Sequence, residues 1–164
     1  MSAERVVLVL GDDVSTDVIY PGRYMATVLP TETPEYAFAD DSAFNAKLVA
    51  QEIPSGSVIV GGKNFGCGSS REQAASCLKG YDPVIVARGF ARIFLQNAIN
   101  LGLQVVICPT IEAHEGDELE IGATEVVNRT SGQHYPVVPL PKARQAVIDA
   151  GGLIPFTRAR VLGG

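Results

Sequence analysis

Apolar residues fall along this chain in short runs separated by glycine, proline and acidic residues. "RVVLVL" (5–10), "SVIVGG" (57–62), "PVIVA" (83–87) and "LQVVICP" (103–109) are brief and rich in β-branched residues, the pattern of buried strands. Between the last three lie "REQAASCLKGY" (71–81) and "FARIFLQNAINLG" (90–102), which read as helices. In the second, Phe90, Ile93, Phe94, Ala98 and Leu101 share one helical face, and Gly102 stands where a C-cap belongs. Strand and helix alternate over 57–109, which predicts β-α-β units with a parallel sheet.

On either side the pattern changes. "GDDVSTDVIYPGRY" (11–24) mixes carboxylates, hydroxyls, Pro21 and Gly22 and predicts a loop. "TETPEYAFADDSAFNAKLVAQ" (31–51) carries Phe38, Phe44 and Leu48 at loosely helical spacing and predicts short helices; Pro54-Ser55-Gly56 predicts a turn. Downstream, "DELEI", "TEVVNRT" and "QHYPVVP" predict short strands, with Ser131-Gly132 as a hairpin turn. "KARQAVIDAGG" (142–152) predicts a final helix capped by Gly151 or Gly152. There is no internal repeat, low-complexity segment or linker, and 164 residues fit one domain, 1–164.

Composition narrows the function classes. An apolar fraction of 46% with 19% charged residues is that of a globular chain. A net charge of −5 without a basic block argues against nucleic acid as a partner. No apolar run reaches the length of a membrane span, and "MSAERVVLVLGDD" is too short and too early in its apolar part for a secretory signal. Cys67, Cys77 and Cys108 form no CxxC or Cys/His pair of metal spacing, so they read as reduced thiols of a cytoplasmic protein with no metal of its own. His114 and His134 have no catalytic partner nearby and read as surface residues.

Candidate chemistry is concentrated in "GGKNFGCGSSREQAA" (61–75). Gly61, Gly62, Gly66 and Gly68 permit positive φ and close backbone approach. The loop joins a strand to a helix N-terminus, where unpaired N–H groups and the helix dipole favour anions. Arg71 adds a planar fork that suits a carboxylate or phosphate. Helix capping competes with this reading: Ser69 with Glu72 makes a capping box, and Ser70 with Gln73 a second frame. One serine suffices for a cap, so a spare hydroxyl beside the arginine is expected. The segment is neither a P-loop, nor a dinucleotide fingerprint, nor a nucleophile elbow. With one dense site and little else to complete it, the chain reads as part of an active site whose remainder lies elsewhere.

Together, "GGKNFGCGSSREQAA", "GDDVSTDVIYPGRYM" and "ARGFARIFLQNAINLGL" resemble the small subunits of 3-isopropylmalate dehydratase in the aconitase superfamily, in register over about residues 8–109. The resemblance implies an α/β fold, the swivelling β/β/α domain of that superfamily with a mixed, partly parallel sheet. It also implies a large subunit that carries a [4Fe-4S] cluster, in a heterodimer or heterotetramer, and a small dicarboxylic hydroxy acid as substrate. The implied reaction interconverts 2-isopropylmalate and 3-isopropylmalate by dehydration and rehydration, in leucine biosynthesis. In it Ser69 is the base, Ser70 and Arg71 bind a substrate carboxylate, and Asp17 is an active-site aspartate. Glu72 is expected to cap the helix and orient Arg71.

The loop "RYMATV" (23–28) corresponds to the segment that selects the substrate's branch. Aconitase-like and homoaconitase-like members place an arginine after the tyrosine. Here Met25, Ala26 and Thr27 follow Tyr24, and Arg23 precedes it as a candidate structural residue. Such a loop does not offset the desolvation of a charged branch, so an apolar branch such as isopropyl is expected. The residues depart from the commoner Tyr-Leu-Val pattern, which leaves dimethylmalate and other alkylmalates open. A related dehydratase acting on homoaconitate, and a non-catalytic anion-binding module, are the alternative functions.

Overall fold

In the computed structural model, which describes residues 3–162, seven strands form one mixed sheet in the order β4-β3-β2-β1-β5-β6-β7. β1 (Ala3–Val9), β2 (Val58–Gly61), β3 (Val84–Ala87) and β4 (Gln104–Ile107) are parallel neighbours. β5 (Glu118–Ile121), β6 (Glu125–Asn128) and β7 (His134–Pro136) continue from β1 as an antiparallel meander. Beyond β7 the Val138 N–H donates to the Ile107 carbonyl at 2.9 Å. That bridge brings the two ends of the sheet together. The alternation of strand and helix predicted over 57–109 is present, as is the strand-rich tail.

The sheet separates two cores. Val58, Val60, Val86, Cys108, Leu119 and Val126 fill the side enclosed by the curved sheet. Ile59, Ile85, Ala87 and Val105 face the helices. Side chains alternate along each strand, and both faces are buried, so these strands read as continuous apolar runs. β1 breaks the alternation. Its register shifts between Val6 and Leu8, and Val6 enters the enclosed core while Leu8 enters the helix-side core.

The helices are α1 (Thr16–Ile19), α2 (Ser42–Val49), α3 (Glu72–Lys79), α4 (Arg92–Leu101), α5 (Lys142–Asp149) and α6 (Leu153–Leu162). Single 3₁₀ turns lie at Gly22–Tyr24 and Thr33–Tyr36. Among the described residues no helix is long and apolar enough to cross a membrane.

Three expectations change. α5 is not the last helix. Its end is closed by N–H bonds from Gly151 to Ile148 and from Gly152 to Val147, the pattern of a Schellman motif. α6 then starts at once, with Pro155 in its first turn, where the missing N–H costs nothing. On α4 the buried face is Phe94, Ala98 and Ile99, while Ile93 is half exposed. The first loop, 11–24, contains α1 and a 3₁₀ turn, because Ser15 accepts from the Val18 N–H and starts a helical turn.

Candidate active site

The loop between β2 and α3 lies at the carboxyl end of the parallel strands, where ligands of α/β sheets gather. It is shaped by two glycines. Gly66 has φ +87°, and a Cβ there would overlap the Phe94 side chain. Phe94 forms a ring cluster with Phe65 and Phe90 at centroid distances of 5.4–6.2 Å. Gly68, at φ +90°, turns the chain again. Backbone bonds lash this loop to the start of α1 and the residues before it: Gly66 N–H to Val14 carbonyl at 2.7 Å, Thr16 N–H to Cys67 carbonyl at 2.8 Å.

Ser69 and Ser70 follow in exposed, non-helical chain. Neither hydroxyl makes a hydrogen bond among the described residues. The capping expectation is therefore overturned for both serines. α3 begins only at Glu72, and its N-cap position is Arg71, whose extended backbone (φ −117°, ψ 111°) keeps the serines out of capping range. Glu72 is an exposed first-turn residue and makes no bond to Arg71; its charge complements the helix dipole there.

Arg71 is oriented by α1 instead. One terminal nitrogen donates to Asp17 Oδ1 at 2.8 Å and to the Tyr20 carbonyl at 3.2 Å. The Arg71 side chain is only 14% exposed, and its Nε–H is buried without an acceptor. Asp17 Oδ1 also accepts the Gly22 N–H at 2.8 Å. These two bonds, the arginine's first, hold the Asp17 carboxyl below the ordinary carboxylate range.

Ser69, Ser70 and Arg71 line a cavity of about 220 Å³ together with Thr16, Gly66, Gly68, Phe94 and Asn97. Ala91, Arg92 and Ile93 complete it from the start of α4. The N-termini of two helices thus open onto one space. Its two charged lining residues are Arg71, paired from behind with Asp17, and Arg92; no carboxylate is among the lining residues. Such a lining favours an anion. Sequence reasoning missed Thr16, Arg92 and Asn97. They lie within "GDDVSTDVIYPGRY" and "FARIFLQNAINLG", and only the fold brings them to Ser69.

The remaining candidates sit beside this cavity and do not line it. Tyr24 stacks on Tyr36 at 4.1 Å, and Arg23 lies over its other side with its guanidinium carbon 4.7 Å from the ring. Arg23 also pairs with Asp40 at 2.6 Å, which fits a structural role. Met25 and Ala26 are exposed and Thr27 is half buried. Their loop is tied down by Tyr20, whose hydroxyl meets the Tyr24 and Thr27 carbonyls, and by Gln73, which donates to the Met25 carbonyl at 3.2 Å.

The three cysteines do not converge. Cys67 is in the site loop, Cys77 in the helix-side core and Cys108 in the enclosed core. Burial raises the Cys108 thiol to about 11 and pushes Cys77 up as well. No group of three or more His, Cys, Asp or Glu among the described residues could hold a metal ion. The residues present do not fit a cluster.

This fold and this loop define a class. Residues 18–109 match the Aconitase C-terminal domain family. A 3-isopropylmalate dehydratase small subunit from Methanosarcina mazei is 44% identical over 155 residues, covering 92% of this chain and 93% of that protein. One from Moorella thermoacetica is 44% identical over 157 residues, covering 92% of each. The isopropylmalate/citramalate isomerase small subunit of Methanocaldococcus jannaschii is 40% identical over 157 residues, 92% of this chain and 90% of that one. The crystal structure of a 3-isopropylmalate dehydratase from M. jannaschii superposes with a TM-score of 0.86 at 37% identity, over 98% of this chain and 95% of that one. The chain belongs to the family of 3-isopropylmalate dehydratase small subunits within the aconitase C-terminal domain fold.

Proposed function

We propose that this chain is the small subunit of a hydro-lyase that interconverts 2-isopropylmalate and 3-isopropylmalate, and that it is active only with its large subunit. One observation carries the reading: a cavity lined by Arg71, Arg92 and two unbonded serine hydroxyls, with no carboxylate among its lining residues. A dicarboxylate entering it meets positive charge from both side chains and both helix N-termini. Arg71, which lines the cavity, is one donor group for a substrate carboxylate. Ser70 supplies another.

Ser69 is the base that takes the proton from the carbon beside the hydroxyl-bearing one. Its hydroxyl is free to approach substrate, and the surrounding positive field stabilises the oxyanion form. Asp17 is bonded to Arg71 and stands outside the cavity lining, so its part is to hold the arginine rather than to touch a dianion. A [4Fe-4S] cluster, carried by the large subunit, would supply the Lewis acid for the departing hydroxyl. Met25, Ala26 and Thr27 meet the branch and accept an alkyl group. A shorter branch, as in citramalate, is the second reading, favoured by the name of the M. jannaschii relative.

Co-expression with a cluster-bearing large subunit, followed by the absorbance of the unsaturated diacid, tests this. Turnover of isopropylmalate that is lost in Ser69→Ala, with the complex intact, is the expected result. A clear preference for homocitrate would overturn the reading of the loop, and turnover by the small subunit alone would overturn the whole scheme.

A further inference from the structure

We infer that Thr16 is a positioning residue for Ser69, separate from the clamp that its neighbour Asp17 makes on Arg71. The inference rests on Ser69 being the base. Ser69 sits in exposed, irregular chain, and its hydroxyl has no partner among the described residues. Where that side chain stands is therefore set by where its backbone is held. Among the described residues the backbone is anchored at one polar point, the Ser69 carbonyl, which accepts from Thr16 Oγ1 at 2.8 Å.

Thr16 is well placed for the task. It is 3% exposed, and it lines the same cavity as Ser69. Its own N–H holds the Cys67 carbonyl at 2.8 Å, so one residue grips the loop on both sides of Gly68. The grip depends on the turn at Gly68. The space on the side-chain side of Gly68 faces Ser15 Cβ at 3.7 Å and Thr16 Oγ1 at 3.9 Å. Thr16 is in turn fixed by α1, where its carbonyl accepts the Tyr20 N–H at 2.8 Å. Adjacent residues of one short helix thus serve two elements of the site: Thr16 the base, Asp17 the carboxylate-binding arginine.

A base displaced by a fraction of an ångström loses rate, whereas a substrate held by Arg71 and Ser70 keeps its affinity. The assembled two-subunit complex, assayed with isopropylmalate, should show this split. Thr16→Val keeps the shape and removes the donor; kcat should fall about 10- to 100-fold with KM nearly unchanged. Thr16→Ser keeps the donor and should restore most of kcat. Thr16→Val should add nothing in a Ser69→Ala background. Asp17→Asn should show the opposite split, mainly in KM. If the valine variant does not assemble, Thr16→Ala read against Thr16→Ser gives the same comparison. Wild-type kcat in Thr16→Val beside an inactive Ser69→Ala would remove this inference alone, and so would a Thr16→Ser as impaired as Thr16→Val. Full turnover in Ser69→Ala would remove the base and this inference together.

Discussion

In the β6–β7 hairpin, Asn128 is buried and uses both ends of its amide. It donates to Asp117 at 2.9 Å and accepts from the Thr130 and Ser131 N–H groups at 3.0 and 3.1 Å. The same Asp117 oxygen accepts the His114 N–H at 2.9 Å. In the loop from Lys63 to Arg71 the backbone is held as firmly, yet two serine hydroxyls and the Arg71 Nε–H are left without partners among the described residues. Both segments are short and polar, and both join strands or helices of the same sheet. The hairpin spends its polar groups on itself and fixes architecture. The glycine loop fixes its backbone and leaves its side chains available. Unmade bonds next to well-made ones separate a site from a scaffold here better than residue type does.

The contrast breaks most sharply at Ser69. In the assembled complex, Ser69→Ala should lower kcat by about 10²- to 10⁴-fold and leave the melting temperature unchanged. A loss of stability comparable to that of a hairpin variant would erase the distinction. Arg71→Lys comes next. It keeps the charge but loses the fork, and KM should rise roughly 10- to 100-fold, the scale of a lost charge-assisted bond. On the scaffold side, Asn128→Ala should destabilise the fold by about 1–3 kcal/mol, measured by denaturant unfolding, with kcat per folded molecule intact. The smallest effect is in pH. Bonds from Asn128 and from the His114 N–H hold Asp117 below its ordinary value of 3.8. A depressed folded value means that its stabilisation is present above about pH 4 and disappears as pH falls through the lower folded value. The stability gap between the native chain and Asp117→Asn should therefore shrink with acid, as followed by thermal melts from pH 6 downwards. A gap that widens would reverse the assigned sign.

Much of this was legible in the chain, and the exceptions share a cause. Short β-branched runs and period-four helices are local signals, so β2-α3-β3-α4-β4 and the hairpin tail could be read directly. Gly102 ends α4 with φ +76° as its position suggested. The delayed start of α3 could not be read, because the capping box is a local rule and Arg71 is held extended by partners more than fifty residues away. α6 was hidden by the two glycines before it and by Pro155, which punctuate a sequence even where a helix resumes. The half of the candidate site that came from one segment, Ser69 to Arg71, was visible as a motif. The half assembled by topology, Thr16 and Arg92, carried no pattern until β1 and β3 delivered their loops to the same edge of the sheet.

The bridge between Val138 and Ile107 has a consequence for how the chain behaves on its own. A sheet with two open ends offers unpaired backbone to any other extended chain, and that is a route to aggregation. Here the segment after β7 lies against β4, so the end most rich in apolar residues is already covered by the chain's own tail. A chain cut before His134 would lose that cover and expose β4 and β6 together. Truncated forms should precipitate where the full chain stays dispersed, a difference that light scattering at equal concentration would reveal.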